Sequence, residues 1–68
     1  MSAWFTMPTL ERAIYVATIL RGIGVDACEE LRSGQPYLVV EGDQPEIEAA
    51  VRRLEPRARK DDRAGGRR

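Results

Sequence analysis

The segment from Pro8 to Gly24 limits what this chain can fold into more than any other, because no other stretch is long and apolar enough to nucleate a core. At about 100° per residue, Leu10, Ala13, Ile14, Ala17, Leu20 and Gly24 fall on one helical stripe, and Val16, Ile19 and Ile23 widen it past a half turn. A helix lying on one face of a small sheet needs an apolar arc of only roughly 100 to 140°. The surplus at Val16, Ile19 and Ile23 therefore predicts a surface that meets a partner. Pro8 suits a first helical turn, Thr9 can cap it and Glu11 sits where the helix dipole favours negative charge. Gly22 or Gly24 can close the far end in a left-handed conformation.

Around this helix the chain alternates between strand and turn chemistry. Ala3 to Thr6 reads as a first strand, with Ala3, Phe5 and Met7 on one face and Trp4 and Thr6 on the other. Val25 to Arg32 alternates with Val25, Ala27 and Leu31 facing in and Asp26, Cys28, Glu30 and Arg32 facing out, and its charges suit a sheet edge. Ser33 to Pro36 is a turn, and Tyr37-Leu38-Val39-Val40-Glu41, apolar on both faces, reads as the central strand of a hairpin. A second helix follows, with Asp43 as N-cap, Glu46 three residues on, and Ile47, Ala50, Val51 and Leu54 as its inward stripe. Glu48 and Arg52 form an outer i, i+4 pair, and Pro56 ends the helix.

The order β-α-β-β-α predicts an α+β domain over residues 1–56: a ferredoxin-like split βαβ unit lacking its last strand. Its sheet would have three strands, the first and third parallel neighbours, with both helices on one face. The first strand would then keep an open edge. Residues 57–68 contain no large apolar side chain and read as a disordered basic tail. Charge supports that division: residues 1–55 carry nine acidic and five basic side chains, residues 56–68 two acidic and six basic.

Pro8, Leu10, Ala13, Ala17, Leu20, Gly24, Val25 and Ala27, the Leu38-Val39-Val40 strand, and Ala49, Ala50 and Leu54 together resemble the pattern of small bacterial signal-transducing proteins compared with the PII regulators. The resemblance covers about two-thirds of the chain. It implies a ferredoxin-like half fold and a regulatory theme, and it assigns no site. The four-residue turn Ser33 to Pro36 is shorter than that family's pattern leads one to expect.

A chain of 68 residues buries only about 60% of its unfolded surface, so it needs help to be stable. With Cys28 the single cysteine and no histidine, neither an internal disulfide nor a zinc site can be assembled. Association remains, and the expectation is a homodimer or a protein partner. One geometry pairs first strands edge to edge; the other packs two open sheet faces together. The N-terminus does not read as a secretory signal, and Ala13 to Leu20 is too short to span a bilayer. The expected setting is cytoplasmic, with no membrane contact.

Catalysis finds no foothold. The commonest general base is missing, Cys28 has the acidic neighbours Asp26, Glu29 and Glu30, which disfavour a thiolate, and Gly22 and Gly24 close a helix rather than open a phosphate loop. No cofactor is implied. The reading is a non-enzymatic regulatory or protein-interaction module working through an open sheet edge or face, with Trp4, Thr6, Tyr37 and Val39 as the candidate surface and Val16, Ile19 and Ile23 as the second. Two alternatives stand beside it. One is a single-stranded nucleic-acid binder using the sheet-face aromatics and the basic tail; the other is a phage or mobile-element inhibitor of a host complex.

Overall fold

A computed structural model describes residues 2–42 and 44–61. Six elements follow one another: β1 (Ser2–Thr6), α1 (Leu10–Gly22), β2 (Ala27–Arg32), β3 (Gln35–Glu41), α2 (Pro45–Leu54) and β4 (Arg59–Lys60). The sheet has four strands in the order β2-β3-β1-β4, and every neighbouring pair is antiparallel. The fold is α+β, but not with the three-stranded sheet expected from sequence.

Two expectations are corrected here. First, β1 and β3 are antiparallel, with Trp4 opposite Val39 and Thr6 opposite Tyr37. Because α1 carries the chain back, the strands that share a direction are β1 and β2, and the hairpin then reverses β3 between them. The crossover rule applies to the pair that the helix connects, whether or not a third strand lies between. Second, the last strand is present. Arg59 and Lys60 pair with Thr6 and Phe5, and the Asp61 N–H donates to the Trp4 carbonyl at 2.7 Å. Residues 57–61 thus belong to the folded unit, and the pairing of two first strands edge to edge is blocked where β4 sits. Residues 62–68, the remainder of the expected tail, lie outside the described residues.

Local chemistry explains most element ends. Thr9 is the N-cap of α1 and accepts a hydrogen bond from the Arg12 N–H at 3.1 Å. At the other end the chain turns through Gly24, whose φ of +93° suits glycine. The hairpin loop has two residues rather than four: Ser33 and Gly34 both take positive φ, +52° and +79°, the combination whose twist matches a two-residue hairpin. Pro36 is left inside β3, where it lacks the N–H that would face Met7. The Gln35 side-chain amide supplies that donor instead, reaching the Met7 carbonyl at 3.1 Å, while the Met7 N–H donates to the Pro36 carbonyl at 3.0 Å. For α2 the N-cap is Gln44, with no side-chain cap bond; Asp43, the expected cap, lies outside the described residues. The outer Glu48–Arg52 pair forms at 3.0 Å.

One face of the sheet is closed. Ala3 and Phe5 of β1, Ala27 of β2 and Leu38 and Val40 of β3 pack against Ala13, Val16, Ala17 and Leu20 of α1 and Val51 of α2. Ile47, Ala50 and Leu54 complete the α2 stripe at the margin of this core. The alternation predicted for Ala3, Phe5 and Met7 holds, and all three are buried.

Glu55, just beyond α2, is buried yet charged. Its carboxylate accepts from Arg12 Nε at 2.8 Å and from Arg57 Nε at 3.0 Å and the Arg57 N–H at 3.1 Å. Arg12 also donates to the Leu54 carbonyl at 3.0 Å. Hydrogen bonds from Arg12 and then Arg57 outweigh the burial that opposes ionisation, and they hold the Glu55 carboxyl well below its usual 4.5, at about 2. The start of α1, the end of α2 and the approach to β4 are joined at this one carboxylate.

Candidate interaction face

Among the described residues the opposite face of the sheet has no helix over it. Antiparallel pairing puts directly opposed residues on the same side, so Trp4 and Thr6 of β1 share that side with Tyr37 and Val39 of β3. All four are half-buried. Trp4 and Tyr37 meet edge to face, with ring centroids 5.4 Å apart and planes at 73°. These four expected residues are therefore brought together.

Three further residues on this face were not singled out from sequence as contributors to it. The Arg32 guanidinium lies over the Trp4 ring, 4.4 Å from its centroid. The Tyr37 hydroxyl reaches Asp61 Oδ2 at 3.4 Å, and Thr6 Oγ1 donates to the Arg59 carbonyl at 3.3 Å. Arg32 had a signal, since period two put it on the outer face of β2. Asp61 and Arg59 had none while the last strand was read as tail.

The electrostatics of the face are mixed. Glu30, Glu41 and Asp61 stand on the same side as Arg32 and Arg59. Beside Val39 a shallow hollow of about 230 Å³ is lined by Ser2, Asp26, Ala27, Cys28 and Glu41, and its charged groups are carboxylates. Among the described residues the face has no cationic track along which a phosphate backbone could run. Among the described residues no group of three or more His, Cys, Asp or Glu side chains stands close enough to hold a metal ion, and no helix is long and apolar enough to cross a membrane.

The second expected surface does not assemble. Val16 is fully buried in the core, Ile19 is half-buried and Ile23 is 68% exposed beyond the end of α1. The arc looked too wide because the small Ala13 and Ala17 let α1 settle close to the sheet and draw Val16 inside. The apolar surface actually left over is Leu10, Ile14, Tyr15, Ile23 and Leu31. Leu31, expected to face in, is on the helix side of β2 but 57% exposed, because β2 is the outermost strand.

Comparison with family models, with curated proteins and with solved structures yields no match to this chain.

Proposed function

We propose that this chain is a small non-enzymatic regulatory or protein-interaction module of ferredoxin-like topology whose open sheet face receives a protein partner. The observation that carries this reading is the Trp4–Tyr37 pair at the centre of a sheet face with no helix above it among the described residues. An aromatic centre flanked by Arg32 and rimmed by mixed charge has the composition of a protein-binding patch, in which Trp, Tyr and Arg supply most of the binding energy. The PII-like signalling resemblance agrees with a regulatory role but names no ligand.

Aromatics on the two central strands also favour a second reading, single-stranded nucleic-acid binding. Two features weigh against it: Arg32 already occupies one face of Trp4, and carboxylates surround the pair. One experiment separates the two. Wild-type protein and the Trp4→Ala and Ile23→Ala variants are immobilised and exposed to extract from the source cell, and Trp4 fluorescence is titrated with mixed oligonucleotides at two salt concentrations. The expected result is a protein retained by wild type and Ile23→Ala, lost with Trp4→Ala, and no quenching by oligonucleotide. Saturable, salt-sensitive quenching would assign the face to nucleic acid instead.

A further inference from the structure

Charge is divided along this chain, and the fold gathers its basic part in one place. Residues 1–51 carry eight acidic and three basic side chains, residues 52–61 two acidic and five basic. The two acids of the second group are turned to other work: Glu55 is buried between Arg12 and Arg57, and Asp61 stands at the Tyr37 hydroxyl on the open side of the sheet. Its cations are less engaged. Arg52 meets Glu48 through Nη2 at 3.0 Å, which occupies one nitrogen of a fork with five N–H donors. Arg53 and Arg59 are exposed, and among the described residues neither enters an ion pair.

Three cations line a single hollow where α2 gives way to β4. It holds about 420 Å³, and its lining is Arg52, Arg59 and Lys60 with Pro56 and Ala58. Among the described residues no carboxylate lines it, in contrast to the hollow beside Val39, whose charged groups are Asp26 and Glu41. Two elements converge there. Arg52 lies on the last turn of α2, while Arg59 and Lys60 are successive residues of β4 and leave it on opposite sides, Arg59 with Thr6 and Lys60 with Phe5. The connection between the two elements is held from within: Glu55 accepts from Arg12 and Arg57, the Ala58 N–H donates to the Glu55 carbonyl at 3.0 Å, and Ala58 is buried. The main chain that carries the three cations is therefore fixed in its spacing.

Like charges brought around one hollow raise the local potential, whatever other partners each of them has, and an anion entering the hollow relieves it. We propose that this hollow binds a phosphate group carried by a small molecule. Charge and acceptor count select phosphate over carboxylate: a phosphate monoester at pH 7 brings about 1.5 to 2 negative charges and three acceptor oxygens, a carboxylate one charge and two oxygens. Guanidinium forks such as those of Arg52 and Arg59 match these oxygens in pairs. A small molecule suits the site better than a nucleic acid does, because the cations converge on one hollow instead of spacing out along a groove. It also suits the site better than a bilayer, because Pro56 and Ala58 offer no large apolar side chain to insert.

The hollow shares no lining residue with the Trp4–Tyr37 pair, so what the open face binds leaves this prediction untouched. To test it, the full chain is titrated with inorganic phosphate and with pyrophosphate, sodium chloride holding the ionic strength constant, and followed by calorimetry and by the thermal midpoint. Saturable binding with a Kd of about 0.01 to 1 mM is expected, together with a midpoint that rises with ligand as mass action requires. Arg59→Ala and Arg52→Ala, both at exposed positions, should remain folded by circular dichroism and should each weaken binding roughly tenfold or more. Arg53→Ala removes a neighbouring cation that does not line the hollow and should leave the affinity nearly unchanged, as should Trp4→Ala. A response to phosphate and pyrophosphate no larger than that to chloride at the same ionic strength overturns the proposal. So does an equal loss of affinity in Arg53→Ala and Arg59→Ala, which would mean that only diffuse positive charge is sensed. Binding of mixed oligonucleotides or of anionic phospholipid vesicles through Arg59, with phosphate and pyrophosphate both inert, would overturn it as well and assign these cations to that larger partner.

Discussion

The two faces of this sheet are built from the same four strands and differ in how their side chains are kept from water. On the helix side Phe5, Leu38 and Val40 lie under α1 and α2 and are at most 1% exposed. On the other side Trp4, Tyr37 and Val39 have no layer above them among the described residues and remain half-buried, sheltered by one another and by Arg32. Stability resides on the first face; on the second, a large aromatic investment is kept where a partner can reach it. Substituting matched residues should break the symmetry between them most visibly. Phe5→Ala removes a buried ring and leaves a cavity beneath α1, at a cost of about 3 to 5 kcal/mol, enough to leave a domain of this size largely unfolded. Trp4→Ala, the larger truncation, gives up an edge-to-face contact and a cation–π contact and should cost only about 1 to 2 kcal/mol. Chemical denaturation of both variants checks the order. Equal losses would mean that the open face is as much a core as the closed one.

Cutting the chain after Pro56 is expected to rank next. It removes the Arg57 donors to Glu55, the buried Ala58 and the strand that pairs with Phe5 and Thr6. Residues 57–68 read from sequence as a disordered tail, whose loss would leave the thermal midpoint almost unchanged; the contacts of residues 57–61 predict a clear drop instead. A midpoint unaffected by the cut would show that β4 adds nothing to the closed face. Stopping after Asp61 instead keeps every contact described here.

Acid sharpens the same comparison, because Glu55 belongs to the closed side and its titration is displaced. A carboxyl held at about 2 when folded, against 4.5 when free, binds fewer protons in the native state than in the unfolded chain through this interval. Its contribution is complete above about pH 5, declines as pH falls through the free value, and is gone below the folded one. Glu55→Gln should lower the midpoint at pH 7 and flatten the dependence between about pH 5 and 2. The half-buried Glu48, changed to Gln, should do neither, since a surface i, i+4 pair contributes only a few tenths of a kcal/mol.

How much of this was legible in the chain depended on whether a local rule was enough. Periodicity found both helices, the β2–β3 hairpin and the sides on which Phe5 and Trp4 fall, because 3.6-residue and 2-residue repeats are properties of one element at a time. It failed where a contact joins distant residues. Arg59 and Lys60 carry no apolar signal and form a strand only because β1 offers an edge for main-chain pairing. Val16 looked surplus on a helical wheel, which takes no account of how closely Ala13 and Ala17 let α1 approach the sheet. Arg12 looked like a flank residue of α1, and nothing near it in the chain announces Glu55, 43 positions away. The open face was half legible: its aromatics followed from alternation, and its Asp61 and Arg59 contacts did not, because they arrive with β4.

The smallest expected effect tests whether Arg32 is a lid on Trp4 or merely a neighbour. Its guanidinium lies 4.4 Å from the ring centroid, and its strand is the outermost of the sheet on that side. An exposed cation–π contact of this kind is worth about 0.5 to 1 kcal/mol. Arg32→Gln keeps a long polar side chain but loses the cation, so the lost contact with the ring should account for no more than that amount of any fall in stability. Fluorescence should respond more than stability does: with its cover gone, the half-buried indole meets more water and its emission should move to longer wavelength. On the closed face no single polar substitution could change a ring's solvation without unfolding the domain. A red shift accompanied by an unchanged unfolding midpoint would therefore mark the open face as a surface that can be rearranged at little cost. An unshifted spectrum would mean that Tyr37 and the strand neighbours alone shelter Trp4, with Arg32 stacked on it to no effect.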